Sequence, residues 1–386
     1  MKKTAKFFEN LTKRNENYIE RDPTIALSFN SGARVDVIGY TRKKFKVEFW
    51  DSTTGNLDFS TTLGAGYFAS PSRKYVVMWN VKVLDENDEV VKQHQVDFKG
   101  KTVHISLEST SLGDNLAWMS QAVRFSELNE CKLILTTFHN SLFDKEKYSN
   151  VTFNEPGTGL PPYDYSYSIG YFYDNGNAKF NRTPIDPRTS PLGKVPCDIL
   201  QIPYVETRPQ LLSKDMSRPI PEKYVCIATS STAGAKFWHR TNGWQDVVNF
   251  LNSEGYKVAL IHKERNELTN VIDWTGDRPL ADRMNQLRHC EFFIGIGSGL
   301  SWLAWGMKKP VVLISGFSDE FAEFQLDCTR IINKKVCNSC WNDTNHEFDK
   351  GDWWWCPRLK GTPRYFECTR EITSEEVINR IREMVK

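Results

Sequence analysis

Four cysteines near the end of the chain have the spacing of a metal site. Cys337 and Cys340 form a C-x-x-C turn, and Cys356 and Cys368 follow after fifteen and eleven intervening residues. Four thiolates in so short a stretch fit a closed tetrahedral site, so the spacing predicts a structural metal with no position left open for chemistry. Two disulfides or four unrelated buried thiols are the alternatives. Tetrahedral sulfur ligation admits zinc or iron, and the spacing does not choose between them.

A carboxylate stands where a predicted strand turns into a predicted helix. Asp114 ends the run SLGD, after the strand TVHISLE and before the helical pattern NLAWMSQAVRFSEL. Open α/β sheets place their sites at the carboxyl ends of strands. Asp114 is therefore a candidate catalytic carboxylate, with Gly113 as a substrate-binding residue. The alternative is that Asp114 caps the helix through its side chain.

Two further turns are rich in glycine, serine and alanine. Lys236 lies in STAGAKFW after the strand YVCIATS, where it either faces a phosphate or is an ordinary lysine on a solvated loop. The second turn, GIGSGLSW, opens a predicted helix but lacks the G-x-G-x-x-G fingerprint, because residue 300 is leucine. Two such turns at strand ends of one domain favour a nucleotide diphosphate. The predicted ligands in the second turn are Gly297, Ser298, Gly299, Leu300 and Ser301.

The elements that must position these residues change along the chain. Residues 33–107 contain β-branched and aromatic strands separated by short turns, which indicates a small antiparallel sandwich or barrel. Later segments alternate strand and helix, as parallel α/β sheets do. An α/β fold is therefore predicted, with four domains: a β-rich domain (1–107), a first Rossmann-like domain with a hairpin insertion (108–220), a second, nucleotide-binding one (221–330), and the metal finger with a C-terminal helix (331–386).

Composition excludes several classes of function. The 386 residues carry 50 basic and 48 acidic side chains, and this balance argues against a nucleic-acid partner. No apolar run reaches the roughly 18 residues of a membrane helix, so we expect no membrane partner. The first fifteen residues have no apolar core typical of an export signal, which predicts a cytoplasmic protein with reduced thiols. A metal-finger scaffold or nucleic-acid-binding protein without catalytic activity is the alternative function.

These motifs, taken in order, resemble a known family. SLGDNLAWMSQAVRF is similar to the Gly-Asp opening of lipopolysaccharide heptosyltransferases, and GAKFW resembles their Lys-x-Trp nucleotide loop. GIGSGLSWLAWGMKKPVVLISG resembles their phosphate-binding helix. The cysteine finger and the β-rich N-terminal region are similar to those of a narrower group, the bacterial autotransporter heptosyltransferases. The resemblance covers the chain from about residue 30 onward.

The resemblance implies a GT-B-like fold and an enzyme that transfers heptose from ADP-heptose to serine hydroxyls of autotransporter adhesin passenger domains in the cytoplasm. It also implies that the finger binds one iron per subunit and that subunits form a homo-oligomer described as a dodecamer. Asp114 would be catalytic, Lys236 would neutralise the diphosphate, and the Ser298–Ser301 turn would donate hydrogen bonds to it. Trp302 departs from the pattern, since the lipopolysaccharide enzymes have a histidine-containing helix start there. His239 either touches substrate or is an ordinary surface residue.

Overall fold

The computed structural model describes residues 22–265 and 268–386. The described residues divide into two units, the first ending at Asp97 and the second beginning at Phe98. The N-terminal stretch in which we find no export signal lies outside the described residues. None of the helices in the described ranges is both long and apolar enough to cross a bilayer.

The first unit is built from antiparallel strands. Side chains of WNVKVL alternate between buried and half-buried, as expected for a strand with one face on a core. The strands are β1 (Thr24–Ser28), β2 (Arg34–Ile38), β3 (Phe45–Asp51), β4 (Asn56–Leu63), β5 (Phe68–Ala69), β6 (Trp79–Leu84) and β7 (Val90–Gln95). They form two sheets, in the orders β1-β2-β5 and β4-β3-β6-β7.

The second unit begins with a parallel sheet and the helix that follows its first strand. The strands are β8 (Thr102–Leu107), β9 (Lys132–Thr136), β10 (Val151–Asn154) and β11 (Tyr165–Ile169), and helix α1 is Leu112–Leu128. The sheet order is β10-β9-β8-β11, and every neighbouring pair is parallel.

The predicted boundary after residue 107 was wrong. Strand β8 was assigned to the β-rich domain, but it pairs in parallel with β9 and β11. The first unit ends at Asp97 instead. The strand TVHISLE has the same local pattern as the antiparallel strands before it, and only its distant partners show which sheet it joins.

A hairpin and a short helix follow this sheet. Strands β12 (Tyr173–Asp174) and β13 (Asn177–Ala178) pair across Asn175 and Gly176. Both turn residues have positive φ, 46° and 77°, as the predicted Asn-Gly turn requires. The hairpin is shorter than predicted, because Tyr165–Ile169 joins the parallel sheet. Helix α2 covers Val195–Leu200.

A second parallel sheet carries the predicted Rossmann-like pattern and extends it. Its strand order is β16-β15-β14-β17-β18-β19. The strands are β14 (Tyr224–Ala228), β15 (Lys257–Leu260), β16 (Ile272–Asp273), β17 (Phe293–Ile296), β18 (Val311–Ile314) and β19 (Cys328–Ile331); the helices are α3 (Gly243–Ser253), α4 (Leu280–His289) and α5 (Gly299–Gly306).

The C-terminal helix belongs to this second sheet rather than to the finger. Helices α6 (Glu367–Arg370) and α7 (Ser374–Val385) end the chain. A capping box begins α7, with Thr373 and Glu376 bonding each other's backbone amides. Val377 and Ile381 are buried in the apolar cluster that covers the second sheet. The boundary predicted at residue 331 therefore separates a helix from its own core.

Candidate active site

Two helix starts, one from each parallel sheet, touch within the second unit. A Cβ atom at position 113 would lie 3.1 Å from Trp302 Cδ1, and one at position 299 would lie 2.9 Å from Leu112 Cβ. Glycine at both positions lets helices α1 and α5 approach closely. This contact brings Asp114 to the turn that contains residues 297–301. Gly113 thus acts at the interface between the helices.

Asp114 lies in the first turn of α1 and is not its cap. Ser111 is at the N-cap position, where its side chain makes no capping bond. The Asp114 carboxylate instead accepts a hydrogen bond of 2.6 Å from the hydroxyl of Ser109. The capping interpretation of this carboxylate was therefore wrong.

The environment of Asp114 raises its pKa. Burial is the largest cause, and it outweighs the Ser109 hydrogen bond and the positive charges of Lys236 and Lys350, which lower the pKa. A carboxylate with a raised pKa is a better proton acceptor near neutral pH. Burial also raises the pKa of Tyr171 well above its usual value, with smaller contributions from Asp114 and Glu323.

The C-terminal segment supports the Lys236 loop. Residues 234–236 form a single helical turn. The amide of Ala235 donates to the carbonyl of Trp353 at 3.1 Å, and a Cβ atom at position 234 would lie 2.7 Å from the Trp354 ring. The half-buried side chain of Lys236 places its ammonium 5.8 Å from the Phe317 ring centre.

His239 braces the same loop. Its Nε2 lies 3.0 Å from the carbonyl oxygen of Gly234, and its ring stacks on Phe366 at 4.2 Å between centroids. Burial lowers the pKa of His239, which favours the neutral ring. These contacts differ from those of an ordinary surface histidine.

The turn between β17 and α5 offers amides and one free hydroxyl. The first amides of a helix have no partner within it, and so they point outward. The buried hydroxyl of Ser298 has no hydrogen-bond partner among the described residues. The Ser301 hydroxyl, by contrast, donates to the carbonyl of Ile296 at 2.6 Å. Its proton is therefore unavailable to a ligand, and Leu300 can offer only its backbone amide.

Trp302 is a packing residue. Its side chain is 4% exposed and contacts Trp305 and Phe324 with ring centres 5.3 and 4.9 Å away. It also fills the space above Gly113. The tryptophan that replaces the family's histidine-containing helix start therefore packs between the starts of α1 and α5.

The four finger cysteines are neighbours, but they are not arranged as ligands. Burial and the nearby thiols of Cys337, Cys356 and Cys368 raise the pKa of Cys340 to about 12. All nine cysteines are free, so the disulfide alternative is wrong. Within residues 22–265 and 268–386, no three His, Cys, Asp or Glu side chains have the spacing of a metal site. The donor chemistry fits a soft metal, and the geometry does not yet close around one.

Sequence reasoning missed side chains that reach the site from distant segments. Ser109 had a local signal, since it lies only five residues before Asp114. Lys350 lies on the finger. Three residues before it, Glu347 packs against Gly176 of the hairpin, so the finger contacts the first half of this unit. Tyr171 and Glu323 gave no signal, because only long-range packing brings them to the carboxylate and the glycine turn.

The known proteins whose sequences are similar to this chain are named heptosyltransferases. Residues 200–350 match the family glycosyltransferase family 9 (heptosyltransferase). The autotransporter heptosyltransferase Aah of Escherichia coli is 38% identical, over 94% of each chain. A relative from Burkholderia thailandensis, the inactive autotransporter heptosyltransferase BimC, is 33% identical, over 93% of this chain and 85% of the relative. The family thus includes a member described as inactive.

Solved structures show the same fold. The iron-containing dodecameric glycosyltransferase TibC from enterotoxigenic E. coli H10407 is 34% identical, with a TM-score of 0.87, over 95% of this chain and 99% of TibC. TibC in complex with ADP-D-beta-D-heptose matches with a TM-score of 0.84 at 35% identity, over 94% and 95% of the chains.

The fold also extends to a distant enzyme. The ADP-heptose lipopolysaccharide heptosyltransferase II of E. coli shares 12% identity and a TM-score of 0.50, over 74% of this chain and 98% of that enzyme, which bears on the fold alone. The predicted GT-B-like α/β class is confirmed. With identity above 30% along nearly its whole length, the chain belongs to the autotransporter heptosyltransferase family.

Proposed function

We propose that the protein transfers heptose from ADP-heptose to serine hydroxyls of an autotransporter adhesin passenger domain. One observation carries the proposal: the contact of α1 with α5 joins a half-buried carboxylate, Asp114, to a glycine-serine helix start. The sequence relatives named above supply the substrate class. Since one of them is described as inactive, activity is inferred from this chain's own site.

The chemistry follows from the charges. The serine oxygen forms a bond to the anomeric carbon while the bond from that carbon to the phosphate oxygen breaks. Asp114 accepts the hydroxyl proton and becomes neutral, and the electron pair leaves with ADP. Lys236 and the amides of the Gly297–Ser301 turn stabilise the charge on the leaving diphosphate. Of the serine side chains predicted to bind it, that of Ser298 has a buried hydroxyl without a hydrogen-bond partner among the described residues.

The decisive experiment is intact-mass measurement of an adhesin passenger domain co-expressed with the enzyme. We expect mass additions in whole steps of one heptose, located on serine residues by peptide fragmentation. The matched control is Asp114→Asn, which should leave the adhesin unmodified. An unmodified adhesin with the wild-type enzyme, in cells shown to contain ADP-heptose, would contradict the proposal for that acceptor class.

We also propose that Cys337, Cys340, Cys356 and Cys368 hold one structural iron, Fe3+, with zinc as the alternative. The C-x-x-C turn with two further cysteines and the 34% identical iron-containing TibC support this assignment. The metal would crosslink the finger, and no catalytic step needs it. The protein is further proposed to be a cytoplasmic homo-oligomer, with a dodecamer as the size suggested by TibC.

Metal analysis together with light scattering tests the finger. We expect about one iron per subunit, and loss of both metal and assembly in Cys337→Ser. Cys328→Ser is the control, since it makes the same chemical change outside the finger. A Cys337→Ser protein with unchanged metal content and oligomer size would contradict the proposal.

A further inference from the structure

A second carboxylate lies beside the glycine turn. A Cβ atom at position 297 would be 2.7 Å from Glu323 Oε1. The glycine has no side chain, and the carboxylate of a residue from a different segment occupies the space that one would fill. The turn therefore presents an acidic group without carrying one in its own sequence.

Glu323 is fixed in this place. Its Oε1 accepts a hydrogen bond from the Ser318 hydroxyl at 2.9 Å, and its Oε2 pairs with Arg330 at 2.6 Å. The Glu323 and Arg330 side chains are only 11% and 9% exposed. Such anchoring makes the carboxylate pre-organised, so a ligand need not order it on binding.

The flanking backbone is held as well. The amide of Leu192 donates to the carbonyl of Ala322 at 2.8 Å, which ties this segment to the first half of the unit. Phe324 is fully buried against Trp302 and Trp305.

We propose that Glu323 is a specificity-determining residue that accepts hydrogen bonds from hydroxyl groups of the donor sugar. The inference rests on the proposed function. A carboxylate repels a diphosphate, whereas a neutral polyol supplies the O–H donors that it can accept. An ionised carboxylate has about four acceptor sites. Ser318 and Arg330 use two of them in this structure, so capacity remains for a sugar.

Calorimetric titration of the full-length oligomer with ADP and with ADP-heptose separates this role from a structural one. In Glu323→Gln we expect the Kd for ADP to stay within about twofold and that for ADP-heptose to rise about tenfold, the loss typical of one charged hydrogen bond. Glu320→Gln, the same change at an exposed neighbouring glutamate, should alter neither Kd. Equal changes for both ligands, or none, would overturn the role of Glu323.

Two features keep the test decisive. If Glu323→Gln is unstable because Arg330 loses its partner, Glu323→Asp preserves the charge and withdraws the oxygens from the turn. The same selective loss of ADP-heptose affinity is expected, and an unchanged ratio of the two affinities would overturn the proposal. A wild-type protein that binds neither ADP nor ADP-heptose would contradict the proposed function itself, rather than the role of Glu323.

Discussion

The two parallel sheets of the second unit present the same structural device with opposite chemistry. In each, a strand ends, a short turn follows and a helix begins. The helix of the first sheet, α1, has an acid in its first turn, whereas the first turn of α5 has none. The first device carries a proton acceptor in its own helix, whereas the second carries amide donors, and the carboxylate beside it, Glu323, comes from another segment.

The contrast shows which effect decides the state of a carboxylate. A helix start favours a negative charge by about 0.3–1 kcal/mol, and the Ser109 hydrogen bond acts in the same direction. Burial nevertheless raises the pKa of Asp114. Desolvation therefore determines the pKa of Asp114 at the start of α1. At the start of α5, where the helix has no acidic residue in its first turn, we infer that the backbone amides are left for the ligand.

Removing the proton acceptor should give the largest effect. We expect Asp114→Asn to lower kcat by about 10³-fold, within the usual range for a general base, while the Kd for ADP stays nearly unchanged. Single-turnover transfer and calorimetry measure the two quantities. The opposite result, lost ADP binding with retained turnover, would place Asp114 on the anion side of the comparison.

Removing a cation from the second side should weaken binding first. We expect Lys236→Ala to raise the Kd for ADP by about 10–100-fold, as lost charged hydrogen bonds do. Lys350→Ala removes an exposed charge that also faces Asp114, so an effect below about threefold is expected. Equal losses for the two variants would show that overall charge, rather than the Lys236 loop, holds the diphosphate.

Sequence reasoning succeeds where function is local and fails where it depends on packing. Alternating strands and helices indicate the second sheet, and the glycine-serine pattern indicates the helix start at residue 299. By contrast, the sequence of β8 resembles that of the antiparallel strands before it, and only its distant partners show that it joins a parallel sheet. Glu323 and Tyr171 reach the site only through the tertiary fold. The functional roles of Asp114, Lys236 and residues 297–301 stay predictions.

The contact that joins the two sides can be loosened directly. We expect Gly299→Ala to destabilise the protein by roughly 1 kcal/mol, because its Cβ would lie 2.9 Å from Leu112 Cβ and force the helices apart. Thermal denaturation measures the change. Gly159→Ala is the control, since a Cβ there meets nothing within 4 Å. Equal melting temperatures for the two variants would show that the helix contact tolerates displacement.

The smallest effect concerns stability and pH. Since the folded state raises the pKa of Asp114 above its ordinary value of 3.8, ionising this group favours unfolding. The resulting penalty is absent below the ordinary pKa, grows as pH rises and is complete above the raised pKa. Asp114→Asn should therefore be more stable than wild type at pH 8, and this gain should shrink at pH 4. Paired melting curves at both pH values measure it. A gain that is independent of pH would mean that shape or hydrogen bonding, rather than the buried charge, distinguishes the two side chains.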